Sequence, residues 1–259
     1  MEKLIILSSD DKDPSESKSN SDFVVNLKET YNTQNIGRVL IKSIQVPNVF
    51  YNVRGNLSPP GSGSINFVFT FREGATTYNA VVPEGQYILT DYVVALQTAM
   101  NAVAGGTVTV SVDPTTQRIL FQDTVPITIL PFSAGNSAGD LTGITTEQTG
   151  LSVLADALPD LSGISTVFVH SRDVSNAFSI DGDSGLISAM EGVSLHDTQF
   201  GANAYYQSND VIGSEITYDK AKNLSRIQIV LRDNLGNRLD IGTSKLIIIF
   251  KIWYAMDTE

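Results

Sequence analysis

His170 and His196 are the only histidines in the chain, and cysteine is absent. Disulfides, thiolate metal sites and cysteine nucleophiles are therefore excluded. A zinc site would need carboxylates and a second chain to complete four ligands. Gly182-Asp183-Ser184-Gly185 matches the Gly-Asp-Ser-Gly of trypsin-like proteases. That chemistry needs a general-base histidine within hydrogen-bond reach and an orienting aspartate. His170 lies only a short loop upstream, whereas those enzymes take their histidine from a separate barrel far earlier in the chain. Asp183-Ser184-Gly185 also resembles the aspartic-protease triplet, in which two such aspartates meet and share a proton. Here Asp181-Gly182 precedes it in place of a hydrophobic strand, and no second triplet exists. As half of a calcium loop, Asp181 to Gly185 lacks the bidentate acid expected further on. A solvated Gly-rich turn is the reading that remains. His170 falls on a strand pattern and reads as a core or interface residue, and His196-Asp197 as a strand-end loop. With no P-loop and no GxGxxG, the sequence nominates no catalytic, cofactor-binding or metal residue, no cofactor and no enzyme activity.

Composition points the same way. Hydrophobic residues make up 42% of the 259, enough for a core, while charged residues are only 17% against roughly 25% in an ordinary soluble domain. Seventeen Lys and Arg against 28 Asp and Glu give a net charge of −11, so the chain as a whole repels nucleic acid and anionic membranes. Its basic residues are scattered and form no stripe. The longest apolar stretches, Leu4–Leu7 and Leu246–Phe250, fall far short of the ~20 residues of a membrane span. The first runs into Ser-Ser-Asp-Asp without a cleavage pattern, so no signal peptide is expected and the protein reads as intracellular or particle-bound.

The elements around these residues are mostly strands. Ser8 to Asp22 is a polar tract with no apolar anchor, expected to be a flexible arm or linker that could order on a partner, with Leu4-Ile5-Ile6-Leu7 as a hydrophobic anchor at its far end. Period-2 alternation then marks Phe23–Leu27, Val39–Val46 and Ile65–Phe71. Leu89, Val93, Leu96, Met100 and Val103 recur at helical spacing, with Thr90 or Asp91 as cap and Gly105 as stop. Thr107–Val112 and Arg118–Gln122 flank Asp113-Pro114-Thr115-Thr116 as a hairpin. Phe132 to Thr149 reads as loop with a short helical turn near Ala138–Leu141. Thr166–His170, Gly192–Leu195, Val211–Thr217, Arg226–Leu231 and Lys245–Tyr254 read as strands, with a turn at Asn234-Leu235-Gly236-Asn237. Many short strands and one helix predict a β-sandwich or barrel.

Four ordered segments together resemble one family: Ser21–Leu27 with Val39–Val53; Val82–Tyr87 with the helix and Val110–Ile119; Leu161–Ser171; and Ile227–Gly236 running into Ile247–Trp253. The set, spanning roughly residues 20–255, is similar to the penton, or minor capsid, proteins of virophages, polinton-type viruses and related large DNA viruses. The resemblance implies a mainly all-β fold: a single jelly-roll β-sandwich with an inserted α+β or β domain carrying one amphipathic helix. The expected organisation is a flexible arm over 1–21, a jelly roll from 22–60 plus 159–259, and an insertion over 61–158. It further implies a structural protein at the five-fold vertices of an icosahedral virion, assembled in the host cell interior. Its partners would be itself as a homopentamer, trimers of a double-jelly-roll major capsid protein and a host receptor, with no nucleic acid and no membrane insertion. Two other readings stay open. One is a non-catalytic β-sandwich module binding a receptor or glycan through loop aromatics such as Tyr51, Tyr205 and Tyr206. The other is a glycosidase with two separated carboxylates among the 28 acids.

Overall fold

A computed structural model describes residues 2–27, 35–55, 66–104, 108–174, 189–208, 215–234 and 236–255. The Gly182-Asp183-Ser184-Gly185 motif, Gly61-Ser62-Gly63, the helix stop at Gly105, Val211 and Leu235 lie outside the described residues. The chain divides into two compact units. One comprises Met1–Phe50 and Ile164–Glu259, and the other Tyr51–Pro60 and Ser64–Gly163. The chain thus leaves the first unit after Phe50 and returns at Ile164, wider limits than the expected 61 and 158.

The first unit opens with β1 (Glu2–Ser8), β2 (Asp22–Asn26) and β3 (Ile36–Pro47). The second holds β4 (Val68–Glu73), β5 (Thr76–Val81), α1 (Leu89–Ala104), β6 (Thr109–Val112), β7 (Ile119–Ile129), the single turn α2 (Gly139–Thr142) and β8 (Gln148–Leu154). The first then resumes with β9 (Thr166–His170), β10 (Ala189–Ser194) and β11 (Asn203–Gln207). It closes with β12 (Glu215–Lys222), β13 (Arg226–Arg232) and β14 (Ile247–Tyr254).

In the first unit, β10-β9-β13-β2 form one antiparallel sheet and β1-β14-β3 the body of the other. On the far side of β3, β11 pairs with Ser43–Pro47 and β12 with Ile36–Leu40, so two short strands in line fill one position. Counting that position once, the unit has eight positions in chain order, and its sheets read 1-8-3-6 and 5-4-7-2. That wrapping order is the jelly roll, with the second unit interposed between the third and fourth positions. Alternation explains which side of each strand faces in. Phe23 and Val25, Val39 and Ile41, Val167 and Val169, Ile227 and Ile229, and Ile248, Phe250 and Ile252 all belong to one core. Each such side chain contributes roughly 1.5–3 kcal/mol on burial.

The expected flexible arm over 1–21 is corrected by these contacts. β1 pairs with β14 from Glu2↔Trp253 to Ser8↔Ile247 and buries Ile5 and Leu7 in the core. The polar tract after it lies along the otherwise open edge of β2. Asp13 N–H donates to the Val24 carbonyl at 2.8 Å, and Lys18 and Ser19 N–H donate to the Asp22 carbonyl at 2.9 and 3.1 Å. Asn20 Nδ2 reaches the Ser244 carbonyl at 3.0 Å. Lack of apolar residues therefore did not leave the tract unanchored: an uncovered strand edge needs hydrogen-bond partners, and a polar segment supplies them.

The second unit is a sheet with β5 beside β4 and with β8 along one side of β7. β4 and β6 share the other side of β7, each facing one half of it across a bulge between Gln122 and Ile127. Helix α1 begins at Leu89, ahead of the residues expected to cap it, and buries Tyr92, Val93, Leu96 and Met100. Phe69 and Phe121 stack in this core with ring centroids 5.3 Å apart. Asn52 clasps the unit's two chain ends. Tyr87 N–H donates to its Oδ1 at 2.9 Å, while its Nδ2 donates to the carbonyls of Tyr87 at 2.8 Å and Leu161 at 3.0 Å. Gly163 passes over it with φ +69°, where a Cβ would come 3.3 Å from Asn52 Cβ. Glycine is needed there for both the left-handed backbone and the space.

Candidate interaction surface

Among the described residues, the two histidines are kept apart. His170 ends β9, is 3% exposed, and lies opposite Ala189 and Val230. His196 sits in the exposed turn beyond β10, whose last residue pairs with Thr166 at the other end of β9. The two histidines therefore occupy opposite ends of one strand pair. Among the described residues, no group of three His, Asp or Glu is placed to hold a metal ion. The protease-like and calcium-like motif lies outside the described residues.

Glu73 and Asp123 are neighbouring acids in the second unit. Glu73 ends β4 opposite Ile127, and Asp123 opens the β7 bulge. Glu73 Oε1 and Asp123 Oδ2 are both buried without a hydrogen-bond partner. Burial first, and the neighbouring Asp123 charge second, raise the Glu73 carboxyl above its ordinary value of 4.5. Below that value Glu73 is protonated in both folded and unfolded chains. Above it the unfolded chain ionises first, so stability falls as pH climbs toward the raised folded pKa. Glu73→Gln is expected to stabilise the protein at pH 7 by about a few tenths of a kcal/mol after solvent screening. The gain should vanish below about pH 4.5 in urea titrations, and a gain independent of pH would contradict the raised Glu73 pKa.

The outer face of the β1-β14-β3 sheet is the feature that composition did not reveal. Register sets its side chains in rows: Ser8, Ile247, Gln45 and Tyr205; Ile6, Ile249, Ser43 and Gln207; Leu4, Lys251, Leu40 and Glu215; Glu2, Trp253, Arg38 and Thr217. Leu4, Ile6 and Tyr205 are 55%, 54% and 71% exposed. The Trp253 ring is flanked by cations, the Arg38 guanidinium 4.5 Å and the Lys251 ammonium 5.1 Å from its centroid. Arg38 is bonded to Glu215 at 2.9 Å and Lys251 to Glu2 at 3.0 Å. The result is an apolar band bordered by charges that are already paired.

No protein-family model matches the chain, and no curated protein matches it. Among solved structures, the mavirus penton protein is similar with a TM-score of 0.50, over 99% of this chain and 100% of that one. The chain shares that penton protein's fold. Sequence identity is 9%, so the likeness is carried by topology and not by retained residues. Of the loop aromatics expected to stack on sugars, Tyr51 lies outside the strands and is exposed. Tyr205 and Tyr206 belong to β11, and Tyr206 packs against the jelly-roll core. Burial, with the Glu191 carboxylate beside it, holds the Tyr206 hydroxyl at a pKa of about 12. The described residues include no helix long and apolar enough to cross a membrane.

Proposed function

We propose that this chain is a structural capsid protein, without catalysis or cofactor, that forms homopentamers at the five-fold vertices of an icosahedral virion. The observation that carries this reading is this chain's jelly-roll strand order, interrupted after its third position, in a fold similar to that of a penton protein over 99% of the chain. Such a sandwich pairs most strand edges internally and leaves its loops and outer faces to meet neighbours. Head-to-tail contacts between identical copies close into a ring when the rotation per copy divides a full turn. Trimers of a double-jelly-roll major capsid protein would surround that ring. A net charge of −11 suits a shell component that does not touch the genome.

Native mass spectrometry over a concentration series tests the reading. A pentamer is expected, populated more fully as concentration rises, because ring contacts are individually weak. A stable dimer or trimer at all concentrations would overturn it.

A further inference from the structure

We infer that the free edge of β5, in the second unit, is a strand-addition site for an extended segment of a partner protein that carries lysine or arginine. The inference goes beyond the capsid reading and does not depend on the ring.

The first argument is where the backbone groups point. Antiparallel pairing turns the N–H and C=O of alternate residues toward one neighbour and those of the residues between them the other way. Val82 N–H donates to the Phe67 carbonyl at 2.9 Å, and the register runs without a shift from Val68↔Val81 to Glu73↔Thr76. Thr76, Tyr78 and Ala80 therefore bond to β4, and Thr77, Asn79 and Val81 direct their backbone groups away from the sheet. Among the described residues nothing bonds to those outward groups. All three residues are exposed, Val81 by 52%. Donors and acceptors repeating every second residue, about 7 Å apart, match the backbone of another extended chain.

The second argument is the lack of protection. Proteins guard open strand edges with charges, proline, bulges or a covering segment. This chain does so elsewhere. The tract after β1 covers β2, and β1 itself starts on Glu2-Lys3. β10 and β12 carry charges and a register shift, and β8 faces the bulge in β7. β5, Thr-Thr-Tyr-Asn-Ala-Val, has no charge, no proline and no bulge.

Charge selects the occupant. Residues 51–163 hold nine Asp and Glu against three Arg and no Lys, a net charge of −6. Glu73, which closes the β4–β5 ladder opposite Thr76, and the neighbouring Asp123 place part of that charge at the hairpin end of the edge. The same edge of a second copy would bring a further −6 and be repelled, whereas a basic segment is drawn in.

The probe is the capped peptide Lys-Thr-Val-Thr-Val-Thr-Lys, added to the full chain and followed by NMR-detected amide exchange. At millimolar peptide, exchange at Thr77, Asn79 and Val81 should slow by about fivefold or more. Exchange at Tyr78 and Ala80, already bonded to β4, should stay the same. Replacing both peptide lysines by glutamate, or N-methylating alternate peptide residues, should each abolish most of the slowing. Asn79→Pro removes the central outward N–H and leaves the β4 ladder intact, so it should do the same. The N-methylated peptide decides the matter should that variant misfold. No slowing at the three amides, or equal slowing by the N-methylated peptide, would overturn the strand-addition site. Equal slowing by the glutamate peptide would overturn the basic partner. Slowing that grows with protein concentration alone would overturn it in favour of a second copy. Each of these outcomes is read at β5 and leaves the native mass spectrum expected of a ring unchanged.

Discussion

Deleting residues 1–8 is expected to unfold the jelly-roll unit. β1 completes the sheet beside β14 along the whole ladder from Glu2↔Trp253 to Ser8↔Ile247. Its loss removes Ile5 and Leu7 from the core and uncovers the flank of Ile248 and Phe250. The two deleted side chains alone stand for about 3–6 kcal/mol of apolar burial, and the ladder and exposed partners add to it. A total on the order of 5–8 kcal/mol is comparable with the whole stability of an ordinary domain, about 5–15 kcal/mol. The truncated chain should be insoluble or lack a cooperative urea transition. A milder version, Ile5→Ala, should lower stability by about 2–5 kcal/mol. A truncated protein that melts like the full chain would show that β1 is dispensable, as an arm would be.

Asn52→Leu should have the next largest effect, on the second unit. Leucine matches asparagine in shape but offers no polar atom. The Tyr87 N–H and the carbonyls of Tyr87 and Leu161 would each lose their partner in a buried place, with the leucine filling the space that water would need. At about 1–3 kcal/mol for each unsatisfied group, the loss should come to about 3–5 kcal/mol. Because Asn52 lies near one end of this unit and Leu161 near the other, amide exchange should quicken first around Tyr87 and Leu161. Unchanged exchange at both places would mean the clasp carries no weight.

Neither residue advertises itself. Asn52 is one asparagine among many, and its partners lie 35 and 109 positions away in the chain. Ser8 to Asp22 looks unanchored because it carries no apolar anchor, whereas its ties are backbone groups of β2 and the distant Ser244. β11 is illegible for a similar reason: Asn203–Gln207 begins and ends on polar residues, and pairing with β3 defines it. By contrast, the spacing of Leu89, Val93, Leu96 and Met100 made α1 legible. Asp113 to Thr116 marked its hairpin equally well, because Asp113 Oδ1 accepts from the Thr115 and Thr116 N–H groups only two and three residues on.

Periodicity, turn chemistry and the poverty of reactive side chains are properties of neighbours along the chain. They were enough to indicate a β-sandwich and its long helix. Strand order, the placing of an inserted unit between the third and fourth positions, and the partners of buried polar groups depend on residues far apart in sequence. The open side of the Leu4–Leu7 run belongs with them: a continuous apolar stretch says that both sides want cover, but only the assembled sheets reveal which side has found it.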